Sequence, residues 1–241
     1  MFLKNNEYLI FVIYYIKVIF MIKYKIFVLF LFTISLFSIN FVSAEKQKEW
    51  ELLGKIIYLD PGHGGSDPGA MYKNIKEKDI NLILCQKLSE KLKKKGAIVY
   101  MTRYGDYDLS ENYTINHKRS DLSKRVHMIN ESEADLYLSI HLNAENSSSW
   151  KGIQVYYDDV KKENKTIADL FYKNFKKELS NVRENKLINN LYLLRRIQKP
   201  GVLIEVGFLS NPNDRYLLRQ EEYQEKITNL FAKVITNYFL P

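Results

Sequence analysis

One cysteine, Cys85, is all the chain carries in 241 residues. A single thiol excludes an intrachain disulfide and every cysteine-rich metal site. Cys85 lies in a helical pattern between Leu84 and Leu88, the setting of a buried, inert thiol, so a Cys/His hydrolase is disfavoured. Nucleotide signatures are missing as well. The glycine-rich stretch 61–69 lacks the Gly-Lys-Ser/Thr of a phosphate-binding loop and the spacing of a dinucleotide fingerprint. No helix-turn-helix, zinc-finger or RNA-binding aromatic pattern accompanies the net charge of +8, and the lysines are spread among acids, so nucleic acid is not expected as a partner. No internal repeat or low-complexity linker points to a second domain.

What is present begins with an apolar leader. Met21-Ile22-Lys23-Tyr24-Lys25 is a short basic region, residues 26–42 form an apolar run, and Val42-Ser43-Ala44 offers small residues for cleavage before Glu45. An earlier apolar stretch, 8–16, is short for a membrane span and is broken by Lys17. The start is Met1 or Met21. Residues 1–44 are read as a signal peptide or membrane anchor, the only membrane contact, which places the rest outside the cytoplasm. Residues 45–54 read as a linker and 55–241 as one catalytic domain, long enough for a full α/β core and too short for two domains. After residue 44 there remain 32 basic and 27 acidic side chains. That surplus suits an anionic polymer or surface.

From residue 55 onward short β-branched runs alternate with helical stretches. Strands are predicted near 55–59, 97–102, 136–140, 153–157 and 202–206, and helices near 77–95, 118–132, 165–179 and 221–239. Lys93-Lys94-Lys95-Gly96 has the composition of a helix C-terminus. The order predicts a three-layer α/β sandwich with a largely parallel central sheet of about six strands and helices on both faces.

Three predicted strands end in residues that can do chemistry. His63 follows the first strand in Pro61-Gly62-His63-Gly64-Gly65, where flanking glycines permit a sharp turn and leave the imidazole uncrowded. His141 ends the run Leu136-Tyr137-Leu138-Ser139-Ile140; a hydrogen-bonded core histidine explains it equally well. Glu205 is embedded in Val202-Leu203-Ile204-Glu205-Val206-Gly207-Phe208, and apolar neighbours cannot satisfy a buried carboxylate. Glu77 opens the helix whose apolar stripe is Ile80, Leu84, Leu88 and Leu92, which puts it on the core side; a first-turn acid facing the helix dipole is the plain alternative. Strand carboxyl ends form the crevice where open α/β sheets bind ligands. Two histidines and a glutamate are a common ligand set for catalytic zinc, and a further glutamate suits the accompanying base. His117 and His127 lie among Lys118, Arg119, Lys124 and Arg125 away from any strand end and read as surface residues.

Four segments, Leu59-Asp60-Pro61-Gly62-His63-Gly64-Gly65, Glu77-Lys78-Asp79-Ile80-Asn81-Leu82, Ser139-Ile140-His141-Leu142-Asn143-Ala144 and Pro200 through Pro212, together resemble the ordered motifs of zinc-dependent N-acetylmuramoyl-L-alanine amidases of the amidase-3 type. The resemblance spans about 55–241. It implies that His63, Glu77 and His141 bind one Zn2+ and that Glu205 is the acid/base for hydrolysis of the amide between N-acetylmuramic acid and L-alanine in peptidoglycan. Arg125 and Asn143 are candidate substrate contacts. Within the family, the short architecture, Leu191-Tyr192-Leu193-Leu194 and the Lys/Ile/Asn/Tyr-rich composition are most similar to the germination-specific branch of spore formers. That branch implies a role in spore-cortex maturation, a deacetylase acting next to give muramic-δ-lactam, and an accessory lipoprotein as a possible partner. Two rivals stay open: a zinc metalloexopeptidase of similar sheet architecture, and a non-catalytic wall-binding or activator module, against which the retention of every motif residue argues.

Overall fold

The computed structural model describes residues 14–35, 50–110 and 116–240. It separates into two compact units, Met1–Glu49 and Trp50–Pro241. In the first, one helix, α1 (Tyr14–Ser35), has a mean hydropathy of 2.0 and is long and apolar enough to cross a membrane. It runs on through Lys17, which the sequence pattern had set as a break. The expected cleavage point at 42–44 lies outside the described residues.

The second unit is an α/β sandwich. In chain order it contains β1 (Ile56–Pro61), the hairpin β2 (Met71–Tyr72) and β3 (Ile75–Lys76), α2 (Glu77–Lys94), β4 (Ile98–Met101), α3 (His117–Asn130), β5 (Leu136–Asn143) and β6 (Gln154–Tyr157). It continues with α4 (Lys162–Glu178), β7 (Lys186–Leu187), α5 (Tyr192–Arg196), β8 (Gly201–Phe208), α6 (Pro212–Leu218) and α7 (Glu221–Phe239). The main sheet has the order β4-β1-β5-β8-β6-β7. The first four strands are parallel, as expected; β6 enters antiparallel to β8, with Gln154 opposite Glu205. The unit begins ahead of the expected boundary at residue 55. Leu52 is fully buried in the core and its N–H donates to Lys95 O, so residues 50–54 belong to the fold and not to a linker.

Strand alternation decides what each face of the sheet carries. Ile57 and Leu59 of β1, Leu136, Leu138 and Ile140 of β5, and Val202, Ile204 and Val206 of β8 point into the larger core, where α2, α4 and α7 pack with Phe171, Phe175 and Phe231 at its centre. The alternate residues Tyr58, Tyr137 and Leu203 face a smaller cluster under α3 and α5, with Ile129, Leu193 and Leu194. By the same period Asp60, Ser139, His141 and Glu205 fall on that second face. The register puts Asp60 opposite Ser139, and His141 opposite Glu205, at the carboxyl edge.

The helices start and stop for local reasons. Asn116 caps α3 by accepting from Arg119 N, and Asn211 caps α6, followed by Pro212 in the first turn. The stripe Ile80, Leu84, Leu88, Leu92 of α2 is buried, and the helix gives way to Gly96 at φ 88°, a left-handed conformation that glycine adopts freely.

Candidate active site

His63, Glu77 and His141 converge from three different elements. Glu77 Oε1 lies 3.2 Å from His63 Nε2 and 3.0 Å from His141 Nδ1, and one ligand atom from each of the three residues falls within 4.8 Å of the others. The two imidazole rings meet edge to face, centroids 5.0 Å apart. Glu77 is held in place by backbone donors, Leu142 N to Oε1 (2.9 Å) and Ala70 N to Oε2 (2.8 Å), and by Asn81 Nδ2 one helical turn along (3.2 Å). His63 is fixed by Asp67, whose Oδ2 is 2.8 Å from Nδ1 and whose Oδ1 accepts from Gly69 N. With Nδ1–H donating to the Asp67 carboxylate, the His63 ring is oriented so that Nε2 faces Glu77 Oε1, the position from which the neutral ring would offer its lone pair to an ion.

Two glycines leave the room the ligands occupy. A Cβ on Gly62 would sit 2.2 Å from the His141 ring, and one on Gly69 would sit 2.5 Å from Glu77 Oε2 and 2.6 Å from His63. His63 itself adopts φ 61°, the left-handed region that disfavours a side chain.

The electrostatics show a pocket short of positive charge. Burial opposes protonation of His63, yet the hydrogen bond and charge of Glu77, then those of Asp67, lift its pKa to about 9. Burial opposes ionisation of Glu77 too, and the two histidines overcome it, holding the carboxyl well below the usual range. Glu205 behaves in the opposite way. Burial first, then the charge of Glu77, pushes it up to about 8, and its shielded Oε2 has no hydrogen-bond partner among the described residues. Two imidazoles and a carboxylate facing one another, with a partnerless carboxylate alongside, fit a divalent zinc-type ion.

A cleft of about 230 Å³ opens beside these residues, lined by His63, His141 and Glu205 on one side and by α3 and α5 on the other. Against known proteins, residues 57–237 match the model of the N-acetylmuramoyl-L-alanine amidase family. The chain belongs to this amidase family. It is 43% identical over 216 residues to the germination-specific N-acetylmuramoyl-L-alanine amidase of Bacillus subtilis, covering 87% of this chain and 91% of that one. Among solved structures it is similar to the CwlD amidase of Clostridioides difficile, determined in complex with the GerS lipoprotein (TM-score 0.72, 38% identity, 77% of this chain and 98% of that one). It is also similar to the catalytic domain of CwlV, an amidase of Bacillus (Paenibacillus) polymyxa (TM-score 0.67, 29% identity, 76% and 97%). The central sheet with helices on both faces is the architecture of these amidases.

Within this amidase the remaining expected residues fall in different places. Arg125 lines the cleft but is 1% exposed, and its donors are engaged: Nε and Nη2 on Asp121, Nη1 on Asp60 and Pro61 O, Nη2 also on His63 O. That geometry gives it the role of an internal strut and leaves no donor for a substrate. Asn143 ends β5, where its carbonyl accepts from Leu209 N, and it is not among the residues lining the cleft. His117 and His127 are exposed.

Four supporting residues escaped the sequence reading. Asp67 sits four residues after His63 in the same loop, and its type and spacing were the available signal. Asp60 interrupts a buried strand and is fully satisfied by Arg125, Thr102 and Ser139, which bring its pKa down to about 2 against the opposing effect of burial. Asn81 is one turn from Glu77 on a buried helix face. Arg103 is 0% exposed and donates to four carbonyls, Pro61, Gly62, Gly105 and Lys78. Only a contact seen in three dimensions explains a buried arginine without a carboxylate.

Proposed function

We propose that His63, Glu77 and His141 hold one zinc ion and that Glu205 is the acid/base in hydrolysis of the amide between the lactyl group of N-acetylmuramic acid and L-alanine. The observation that carries this reading is the convergence of two imidazoles and one carboxylate beside a second carboxylate left without a partner. When bound, zinc supplies Lewis acidity toward the amide carbonyl and brings the pKa of water down to about 7. Glu77 keeps Oε1 toward both imidazoles while Ala70 N holds Oε2, and Asp67 keeps the His63 ring from rotating. Glu205 takes a proton from water as the new C–O bond forms and delivers it to the alanine nitrogen as the C–N bond breaks, leaving a lactyl carboxylate and a free amino terminus. The test is digestion of whole peptidoglycan by zinc-loaded protein. New N-terminal alanine is expected; its absence, or other new amino termini in its place, overturns the proposal.

The same proposal extends to biology. The identity to a germination-specific relative supports a role in spore-cortex maturation, upstream of a deacetylase that produces muramic-δ-lactam. Helix α1 supports an extracytoplasmic location, anchored or secreted after cleavage near Glu45. The lipoprotein complex of the C. difficile relative supports an accessory lipoprotein as partner here. Deletion of the gene in the host, followed by muropeptide analysis of spores, should leave the cortex without the lactam.

A further inference from the structure

The catalytic unit carries its chemistry at one edge of the sheet and an unlike surface at the other. β1, β4, β5 and β8 are parallel, so His63, His141 and Glu205 share the carboxyl edge, while the chain enters the unit at the amino edge, just before β1. Trp50 and Leu53 stand at that entry 51% and 66% exposed, seated on Gly96, where an added Cβ would come within 3.1 Å of the indole and 3.4 Å of the Leu53 backbone. Leu240, 43% exposed, follows α7 at the same end, where the Lys55 Nζ lies 5.0 Å from the centroid of the Phe239 ring. None of the three joins either core cluster. The charge around them is basic. Lys93 and Lys94 are exposed in the last turn of α2, and among the described residues neither has an acidic partner, whereas Lys87 and Lys91 further back on the helix are paired with Glu221 and Glu225.

The acids of this edge do not cancel the two lysines. Glu51 is bridged to Lys95, Asp135 accepts from Ile56 N, and Glu131 and Glu133 follow α3, on the opposite face of the sheet from α2. Lysines in a last turn also suit the helix dipole, but the dipole gives no reason for an exposed tryptophan and two exposed leucines beside them. A tryptophan with apolar neighbours and unpaired lysines is the composition of a membrane–water interface, with the indole at head-group depth and the ammonium groups on anionic phosphates. The covalent path agrees: α1 is long and apolar enough to cross a membrane, and the chain from Ser35 to Trp50 can span at most about 55 Å. Resting on the anchored, extracytoplasmic reading of the leader, we propose that the amino edge of the catalytic unit docks on the outer face of an anionic lipid bilayer. Trp50, Leu53 and Leu240 enter the head-group layer, and Lys93 and Lys94 meet the lipid phosphates. This contact is additional to α1. It turns the carboxyl edge and its cleft away from the lipid, toward polymer outside the membrane, with the six residues of β1 setting about 20 Å between the two edges.

The two tryptophans of the chain report the two edges, because Trp150 lies against Arg183, which also reaches Phe208, the last residue of β8. The test inserts the full chain into vesicles of phosphatidylcholine with or without phosphatidylglycerol, made with lipid brominated near the head group. Fluorescence is read in Trp150→Phe, which leaves Trp50, and in Trp50→Phe, which leaves Trp150. α1 contains no tryptophan, so quenching reports the catalytic unit alone. On anionic vesicles Trp50 should be quenched and Trp150 should not. A lysine at such a surface contributes roughly fivefold in affinity, so Lys93→Gln/Lys94→Gln should lower the ratio of docked to free domains at least about tenfold, and neutral lipid or raised salt should release Trp50 as well. Trp50 unquenched on anionic vesicles, equal quenching of both tryptophans, or quenching indifferent to lipid charge overturns the proposal. Trp50 shielded from aqueous iodide yet untouched by bromine also overturns it and assigns the face to contact between copies of the chain. Flotation with neutral vesicles tests the leader apart from this: a chain that does not float there has no anchoring α1, whatever Trp50 does on anionic lipid.

Discussion

At the scale of single residues the site depends on what is absent as much as on what is present. The missing Cβ at Gly62 is the space taken by the His141 imidazole, so Gly62→Ala should displace that ring and cost at least about tenfold in zinc affinity, read by competition with a chelator. The two glutamates should separate cleanly. Glu205→Gln is nearly isosteric and removes a carboxylate whose Oε2 lacks a partner, so it should keep fold and zinc but lose about 10²–10⁴-fold in turnover. Glu77→Gln should lose zinc itself, because a neutral amide is the poorer ligand. Zinc content and turnover measured on both proteins check the assignment, and zinc loss in Glu205→Gln with retention in Glu77→Gln would reverse it. His63, Glu77, His141 and Glu205 were legible as candidates because each is a polar residue that an apolar strand or helix face does not explain. Asp67 was not, since a loop aspartate has an ordinary role in turns.

Among the elements, the loop between β1 and β2 is held from outside itself. Arg103, just past β4, and Arg125, on α3, donate together to the three successive carbonyls of Pro61, Gly62 and His63. The two side chains hold His63 in its left-handed backbone conformation and tie the loop to α2 through Lys78 O. Removal of Arg125 leaves Asp60 buried and short of its cation, so Arg125→Met should lose about 3–5 kcal/mol in urea unfolding. Arg103→Met leaves buried carbonyls unpaired but no charge, and a smaller loss, about 1–3 kcal/mol, is expected. The long elements were readable: α2 and α7 begin at Glu77 and Glu221, where their 3.6-residue periodicity begins. The short α5, α6 and β7 were not. Two to seven residues show too little of a period; tertiary contacts account for them, β7 at the sheet edge, α5 beside the cleft and α6 against β8 and α7.

Over the whole molecule, acid stability should carry the signature of the buried Asp60–Arg125 pair. The folded pKa of Asp60, about 2, is below the ~3.9 of an unfolded aspartate. Its contribution is therefore fully present above about pH 4, and it is lost as pH falls from there through 2. The difference corresponds to on the order of 2 kcal/mol. Unfolding free energies measured from pH 5 to pH 2 should show that slope, and Asp60→Asn should flatten it. The leader has its own measurement: mass spectrometry of protein from the natural host should find an N-terminus near Glu45 or an intact chain in the membrane fraction. An intact leader on a soluble cytoplasmic form would contradict that. The sequence by itself determined the α/β class, the long helices, the parallel core strands and four polar residues that meet at the candidate site, because periodicity and out-of-place polarity are local properties of a chain. Only the tertiary structure decided which strand face those residues share, that β6 runs antiparallel, that Arg125 is a strut, and that α5 builds the second wall of the cleft. Each of these depends on strand register and on contacts between residues 40 to 80 positions apart, and no local pattern encodes either.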